Sequence, residues 1–226
     1  MPSVDPPSGY PLELPPTRLL IDEHGHKWDI EAAILRAAEA LFDDSAAITV
    51  EMLEILRRQT IRDHLRKQFF KDHLSRYSAS RRKAPIYWPL SVPSRNWGVW
   101  VYAPTFTRET LYAVAGEAGR RERLASEAMT RLRHEQREGA AGRPPRRVSE
   151  ELDTEERLAE ELRLFRLEAE RIAGLGWEPD LDDGIILCAA PLANLFPAWL
   201  DTSTARAELR RGMYPWATVA TWADRL

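Results

Sequence analysis

The chain has 226 residues, 32 of them basic and 35 acidic for a net charge of −3, and 44% are hydrophobic. That length holds one medium domain or two small ones with a real core. The near-neutral balance gives no bulk attraction to nucleic acid, so only the local distribution of charge can speak to such a partner. The one cysteine, Cys188, excludes an intrachain disulfide and a zinc site built on several thiolates, in keeping with a reducing compartment.

Residues 1–18 contain Pro2, Pro6, Pro7, Pro11, Pro15 and Pro16 and read as an extended leader. The Pro/Ser-rich start from Met1 to Tyr10 is unlike a signal peptide. The longest apolar stretch, Gly184 to Trp199, is broken by Pro191, Asn194 and Pro197 and is too short to span a bilayer. A cytoplasmic protein without membrane contact is expected. The spacing predicts a helix from Lys27 to Phe42, with Ile30, Ile34, Ala37 and Leu41 on one face. A second helix is expected over Thr49–Arg58. A third, over Thr60–Tyr77, opens on Thr60 with Asp63 three residues on, which resembles a capping box.

The period then changes. Ile86–Ser91 and Trp97–Ala103 are aromatic and β-branched runs separated by a Pro-Ser-Arg-Asn turn, and they predict a β-hairpin. Trp100 and Tyr102 share one face, Trp97, Val99 and Val101 the other, so both faces are expected to be covered. Thr107 starts a long helix to about Glu138, in which Leu111, Ala115, Ala118, Ala125, Met129 and Leu132 follow steps of four and three, interrupted at Glu122. After a Gly/Pro/Arg loop, Leu158, Leu162, Phe165, Ala169 and Ile172 repeat the pattern up to about Ala173. Two such seams predict an antiparallel coiled-coil hairpin with arms about 40 Å long. Gly184–Ala190 reads as a buried strand or core segment. Short helical pieces at Leu192–Phe196, Ser203–Arg211 and Trp216–Arg225 finish the chain. The expected class is α+β, mainly α: a leader (1–18), a basic helical cluster with a β-hairpin (19–106), the coiled-coil hairpin (107–175) and a small C-terminal helical cap (176–226).

The most informative segment for function is Arg57–Lys83. It holds ten basic and two acidic side chains, a local charge of +8, which leaves −11 on the rest of the chain. Such segregation is the footprint of a phosphate-contacting surface; a solvated face paired with the acidic remainder is the alternative. The candidate DNA contacts are Arg62, Arg66, Lys67, Arg76, Arg81, Arg82 and Lys83, with Tyr87 as an aromatic that can stack on a base or pack in the core. The tip Arg143-Pro144-Pro145-Arg146-Arg147 reads as a solvated turn before it reads as a phosphate brace. Asp22-Glu23-His24-Gly25-His26 looks like metal ligands at first sight, but its spacing is too tight and a turn explains it better. His64 and His73 lie near opposite sides of one helix. A nucleophile elbow, a Walker-type loop and the Asp–Glu-x-Lys ending of many nucleases are all absent from the sequence. No catalytic residue, metal site or cofactor site is assigned.

Two strings then matter together: Gln68-Phe69-Phe70-Lys71-Asp72-His73-Leu74-Ser75-Arg76-Tyr77 and Ser80-Arg81-Arg82-Lys83-Ala84-Pro85-Ile86-Tyr87-Trp88-Pro89-Leu90. They resemble the C-terminal part of the BREX phage-exclusion DNA methyltransferases of the PglX type. Asp182-Asp183-Gly184-Ile185, Ala190-Pro191-Leu192 and Tyr214-Pro215-Trp216-Ala217 are similar to the end of the same family, so the resemblance runs from about Leu14 to Leu226. It implies site-specific adenine-N6 methylation that marks host DNA against phage, S-adenosylmethionine as methyl donor for the full enzyme, and partner defence proteins. That chemistry needs an Asn/Asp-Pro-Pro-aromatic loop to hold the extruded adenine. The nearest match, Asp5-Pro6-Pro7-Ser8, lacks the aromatic and follows no strand. A Gly-rich loop after a strand is missing too, since Gly174-Leu175-Gly176 follows a helix. The expectation is therefore a non-catalytic, DNA-associating C-terminal part of such an enzyme, inactive alone, with double-stranded DNA and a methyltransferase catalytic domain or other defence proteins as partners. A split gene product, a truncated frame and an excised domain all fit. The competing class is a protein–protein docking module without DNA contact. An independent methyltransferase is a third reading and requires S-adenosylmethionine binding by this chain.

Overall fold

The computed structural model describes residues 15–41, 45–57, 60–72, 87–138, 146–196 and 202–225. The chain divides into two units, one built from 1–90, 97–106 and 197–200, the other from 91–96, 107–196 and 201–226. It is mainly helical with one small antiparallel sheet, the α+β class read from the sequence.

In the first unit the expected hairpin forms, as β2 (Tyr87–Ser91) and β3 (Gly98–Tyr102). A third strand that periodicity did not reveal, β1 (Leu19–Ile21), pairs antiparallel with the free edge of β3, in the register Leu19 to Val101, Leu20 to Trp100 and Ile21 to Val99. Three residues are too short to display a period, and their partner lies some eighty positions away. β3 is thus central, and its Val99, Trp100 and Val101 are buried, as is Trp97 just before it. Both faces are covered, as the alternation of large apolar side chains on each predicted.

Helix α1 (Ile30–Leu41) stands where expected, but its buried residues are Ile30, Ala33 and Ala38, and Leu41 is exposed. The predicted face was rotated because an alanine-rich helix carries apolar positions on more than one side. Helix α2 (Ser45–Leu56) begins before the expected Thr49. Helix α3 (Ile61–His64) opens on Thr60, whose Oγ1 accepts from the Asp63 N–H at 3.0 Å. Removing that cap in Thr60→Ala is expected to cost about 1 kcal/mol, read as a lower urea midpoint at unchanged slope.

The helix then widens into a π-helical turn over Leu65–Phe69. A wider turn brings consecutive residues closer round the axis. Phe69 and Phe70 both meet Trp100, at 5.6 and 6.5 Å between ring centroids, edge to face. Phe70 is fully buried, and so is Trp88, whose ring lies 5.7 Å from Phe106.

In the second unit α4 (Arg108–Glu138) and α5 (Arg146–Leu175) pack along one another as the expected coiled-coil hairpin. Leu111, Ala115, Ala118 and Ala125 of α4 are buried, as are Leu158, Leu162, Phe165, Ala169 and Ile172 of α5. Ion pairs flank the seam: Arg166 with Glu122 at 3.0 Å, Arg121 with Glu155 at 3.2 Å, Arg133 with Glu156 at 2.6 Å and Arg147 with Glu135 at 3.3 Å. From Glu122–Arg166 through Arg133–Glu156 to Glu135–Arg147, rising numbers on one helix meet falling numbers on the other, as an antiparallel pair requires. Glu122, which interrupts the apolar repeat, is the partner of Arg166. Gly119 lets the same arginine lie close, since a Cβ there would stand 3.3 Å from Arg166 Cδ.

The segment 184–190 is not a strand. Ile185–Cys188 forms a short helix, α6, and Ala190–Leu192 a 3-10 turn. Four residues apolar throughout cannot distinguish the two by period, and in this unit no sheet is present among the described residues to receive a strand. Helix α7 (Thr202–Arg210) and a 3-10 segment (Thr218–Arg225) close the unit. The acidic run before α6 serves as a cap. Buried Asp183 accepts from the N–H groups of Thr218 (2.7 Å) and Val219 (2.8 Å), and Asp180 accepts from Asp182 N–H and the Thr218 hydroxyl. No helix among the described residues is long and apolar enough to cross a membrane.

Candidate nucleic-acid interface

The basic side chains that the sequence singles out start on α3. Arg62 and Arg66 are four apart, hence on one helical face. The chain loops round between Asp22 and Asp29, with Gly25 at φ +79° in the loop, and returns to a parallel bridge between Ile21 and Asp29, the Ile21 N–H donating to Trp28 O at 2.8 Å. This turn brings Asp22 and Asp29 to the same guanidinium. Arg62 Nη1 pairs with Asp22, Nη2 donates to both Asp29 oxygens at 2.7 and 2.8 Å, and Nε donates to Glu31 at 3.1 Å. The Arg62 backbone N–H also donates to Glu31, at 3.0 Å. Arg66 Nε lies 2.5 Å from Asp22 Oδ2.

The site is enclosed. The side chains of Asp22, Asp29 and Arg62 retain 6%, 4% and 13% of their exposure, and Arg66 retains 26%. Burial works against the Arg62 charge, but the hydrogen bond to Asp29 and the Asp22 charge outweigh it and raise its pKa above the ordinary arginine value. Three carboxylates thus hold two guanidiniums, and the local charge is no longer positive. A DNA phosphate could reach Arg62 only by displacing a buried carboxylate. The missed residues are these counter-ions: Asp22 was legible only as part of a turn, because its partners lie 40 and 44 positions away.

Lys67 pairs with Asp63 at 2.5 Å but is 56% exposed, so this contact is weak and exchangeable. Tyr87 is half-buried with its ring 5.1 Å from Tyr102 and tilted 47°. Arg76, Arg81, Arg82 and Lys83, with Tyr77, lie outside the described residues. The structure therefore brings Arg62 and Arg66 together and leaves Lys67 at the surface one residue on. At the hairpin tip, Arg146 pairs with Glu150, and Arg147 with Glu151 and Glu135, all exposed.

No family model and no curated protein matches this chain.

Side chains of the turn Asp22–His26 hold the local structure together. Glu23 accepts from Trp97 Nε1 at 3.2 Å, and His26 Nδ1 accepts from the Trp28 N–H at 3.1 Å. Groups of three or more ligating side chains are absent among the described residues. Cys188 is buried, and burial followed by the charges of Asp183 and Asp180 pushes its thiol well above the ordinary range. It is an uncharged core group and not a nucleophile. Of the family-like strings, Phe70 and Trp88 belong to the core and Phe69 to its edge. Packing accounts for those aromatic positions.

Proposed function

We propose that this chain is the non-catalytic, DNA-associating C-terminal part of a BREX-type site-specific adenine-N6 DNA methyltransferase acting in phage defence in the cytoplasm. The observation that carries the reading is the string from Gln68 to Leu90, with its concentration of positive charge. With Arg62 and Arg66 held by carboxylates, the reading rests on the sequence positions Arg76, Arg81, Arg82 and Lys83, with Lys67 at their near end. Methyl transfer, S-adenosylmethionine binding and base extrusion belong to a separate catalytic domain, which the α4–α5 hairpin spaces or docks.

Phosphate contact predicts a steep salt dependence. Replacing Arg81, Arg82 and Lys83 by alanine is expected to weaken binding to all DNA sequences alike and to lower the salt slope by about 2–3. An unchanged affinity in a low-salt shift assay sinks the assignment.

A second reading, a docking module without DNA contact, is favoured by Leu164 and Leu167, which are three apart on α5 and 53% and 43% exposed. Apolar docking tolerates salt, so the same titration separates the two.

A further inference from the structure

Among the described residues, most arginines whose pKa departs from the ordinary value are raised by a carboxylate. Arg62, Arg108, Arg163, Arg166 and Arg171 are all raised, each with Asp or Glu partners. Arg206 on α7 differs. Burial pushes its pKa down, Arg210 pushes it further, and Arg171 adds to this against a partial offset from Glu168. Its hydrogen bond is to a neutral group, from Nη2 to Asn194 Oδ1 at 3.1 Å. Asn194 in turn donates to Glu168 Oε1 at 2.9 Å, and Glu168 is already held by Arg171 Nε and Nη2 at 2.7 and 3.0 Å. One carboxylate thus serves two guanidiniums, Arg171 directly and Arg206 through Asn194.

Arg206 and Arg210 are four apart, so they share a face of α7, and like charges at that spacing repel. The C-terminal end of the helix dipole favours Arg210 in the last turn, but it does not reach Arg206 in mid-helix. A guanidinium has five donors, and Arg206 spends one on an amide. A partly desolvated cation with unused donors, beside two like charges, is the arrangement an anion relieves. Arg210 and the following Arg211 are exposed, so the group opens onto the surface and suits a polymer backbone passing over it.

We propose that Arg206 and Arg210, braced by Asn194, Glu168 and Arg171, form a second phosphate-contacting site for the backbone of duplex DNA. The site rests on the DNA-associating reading above, but it lies wholly within the second unit and uses none of the residues between 62 and 87.

The test uses the full chain and a short DNA duplex, with anisotropy titrations at several salt concentrations. The double variant Arg206→Gln/Arg210→Gln is expected to lower the magnitude of the salt slope by about 1.8, two phosphates at about 0.9 each. Arg206→Lys/Arg210→Lys is expected to keep most of it. The control Arg108→Gln/Arg163→Gln removes the same charge from arginines paired with Glu109 and Glu160 and is expected to leave the slope unchanged. Thermal melts confirm that each variant folds.

The proposal is overturned if the Gln variant keeps the wild-type slope, or if the control loses as much. It is also overturned if inorganic phosphate alone raises the melting temperature of wild type but not of the Gln variant while both bind the duplex with the same salt slope, which would make this a site for free anions. Dependence on residues 81–83 without dependence on Arg206 and Arg210 removes this site and leaves the proposed function standing. Wild-type chain that ignores the duplex at all salt concentrations removes both.

Discussion

Arg62→Ala is expected to destabilise the first unit by about 3–5 kcal/mol, because it leaves Asp22 and Asp29 buried with too little opposing charge. Folded domains hold roughly 5–15 kcal/mol in all, so a large share of the variant should unfold under conditions where the wild type is intact. The signature is a lower urea midpoint with an unchanged slope. Arg163→Ala is the comparison. Its pair with Glu160 is just as close, at 2.7 Å, but the two side chains are 44% and 56% exposed. Loss of such an exposed pair should cost below about 1 kcal/mol. If the two variants lose the same stability, the Asp22–Arg62–Asp29 triad is not a buried ion-pair network, and Arg62 returns to the set of surface cations available to a phosphate.

The second large effect lies in the hairpin. Leu162 and Leu164 stand two residues apart on α5, yet Leu162 is fully buried and Leu164 is 53% exposed. Leu162→Ala is expected to cost about 2–5 kcal/mol, from lost transfer energy and the cavity left between α4 and α5. Leu164→Ala should change stability by no more than about 0.5 kcal/mol in either direction. Melting followed by circular dichroism at the helix band measures both. Equal losses would mean that Leu164 faces a second buried surface. A loss confined to Leu164 would reverse the seam.

The two experiments bear on function as well as on stability. The triad decides whether Arg62 and Arg66 can take part in DNA contact at all. The hairpin decides whether a stiff spacer is present, as the proposed docking of a catalytic domain requires.

The parts of this fold that could be read in advance are those whose information is local. Leu158, Leu162, Phe165, Ala169 and Ile172 declare their seam by spacing alone, because a helix repeats its face every three to four residues. Thr60 declares a helix start because its hydroxyl bonds a backbone N–H three residues on. The alternation of Trp97, Val99 and Val101 against Trp100 and Tyr102 declares a covered strand.

Long-range pairing decided the remainder. Nothing in Leu19-Leu20-Ile21 announces an edge strand until β3 offers its hydrogen-bonding groups. The run Ile185-Ile186-Leu187-Cys188 suits a strand or a helix equally by period, and in the folded chain it is α6. The count of positive charges in Arg57–Lys83 was correct as a count, but charge along a chain is not charge on a surface. Asp22, Asp29 and Glu31 reach Arg62 across some thirty to forty positions and cancel it, and no local rule contains that distance. Periodicity and capping are properties of neighbours along the chain, so the sequence determined the hairpin, the start of α3 and the facing seams of α4 and α5, but not the buried face of α1. Which cations remain available to a ligand is a property of neighbours in space, and only the folded chain could decide it.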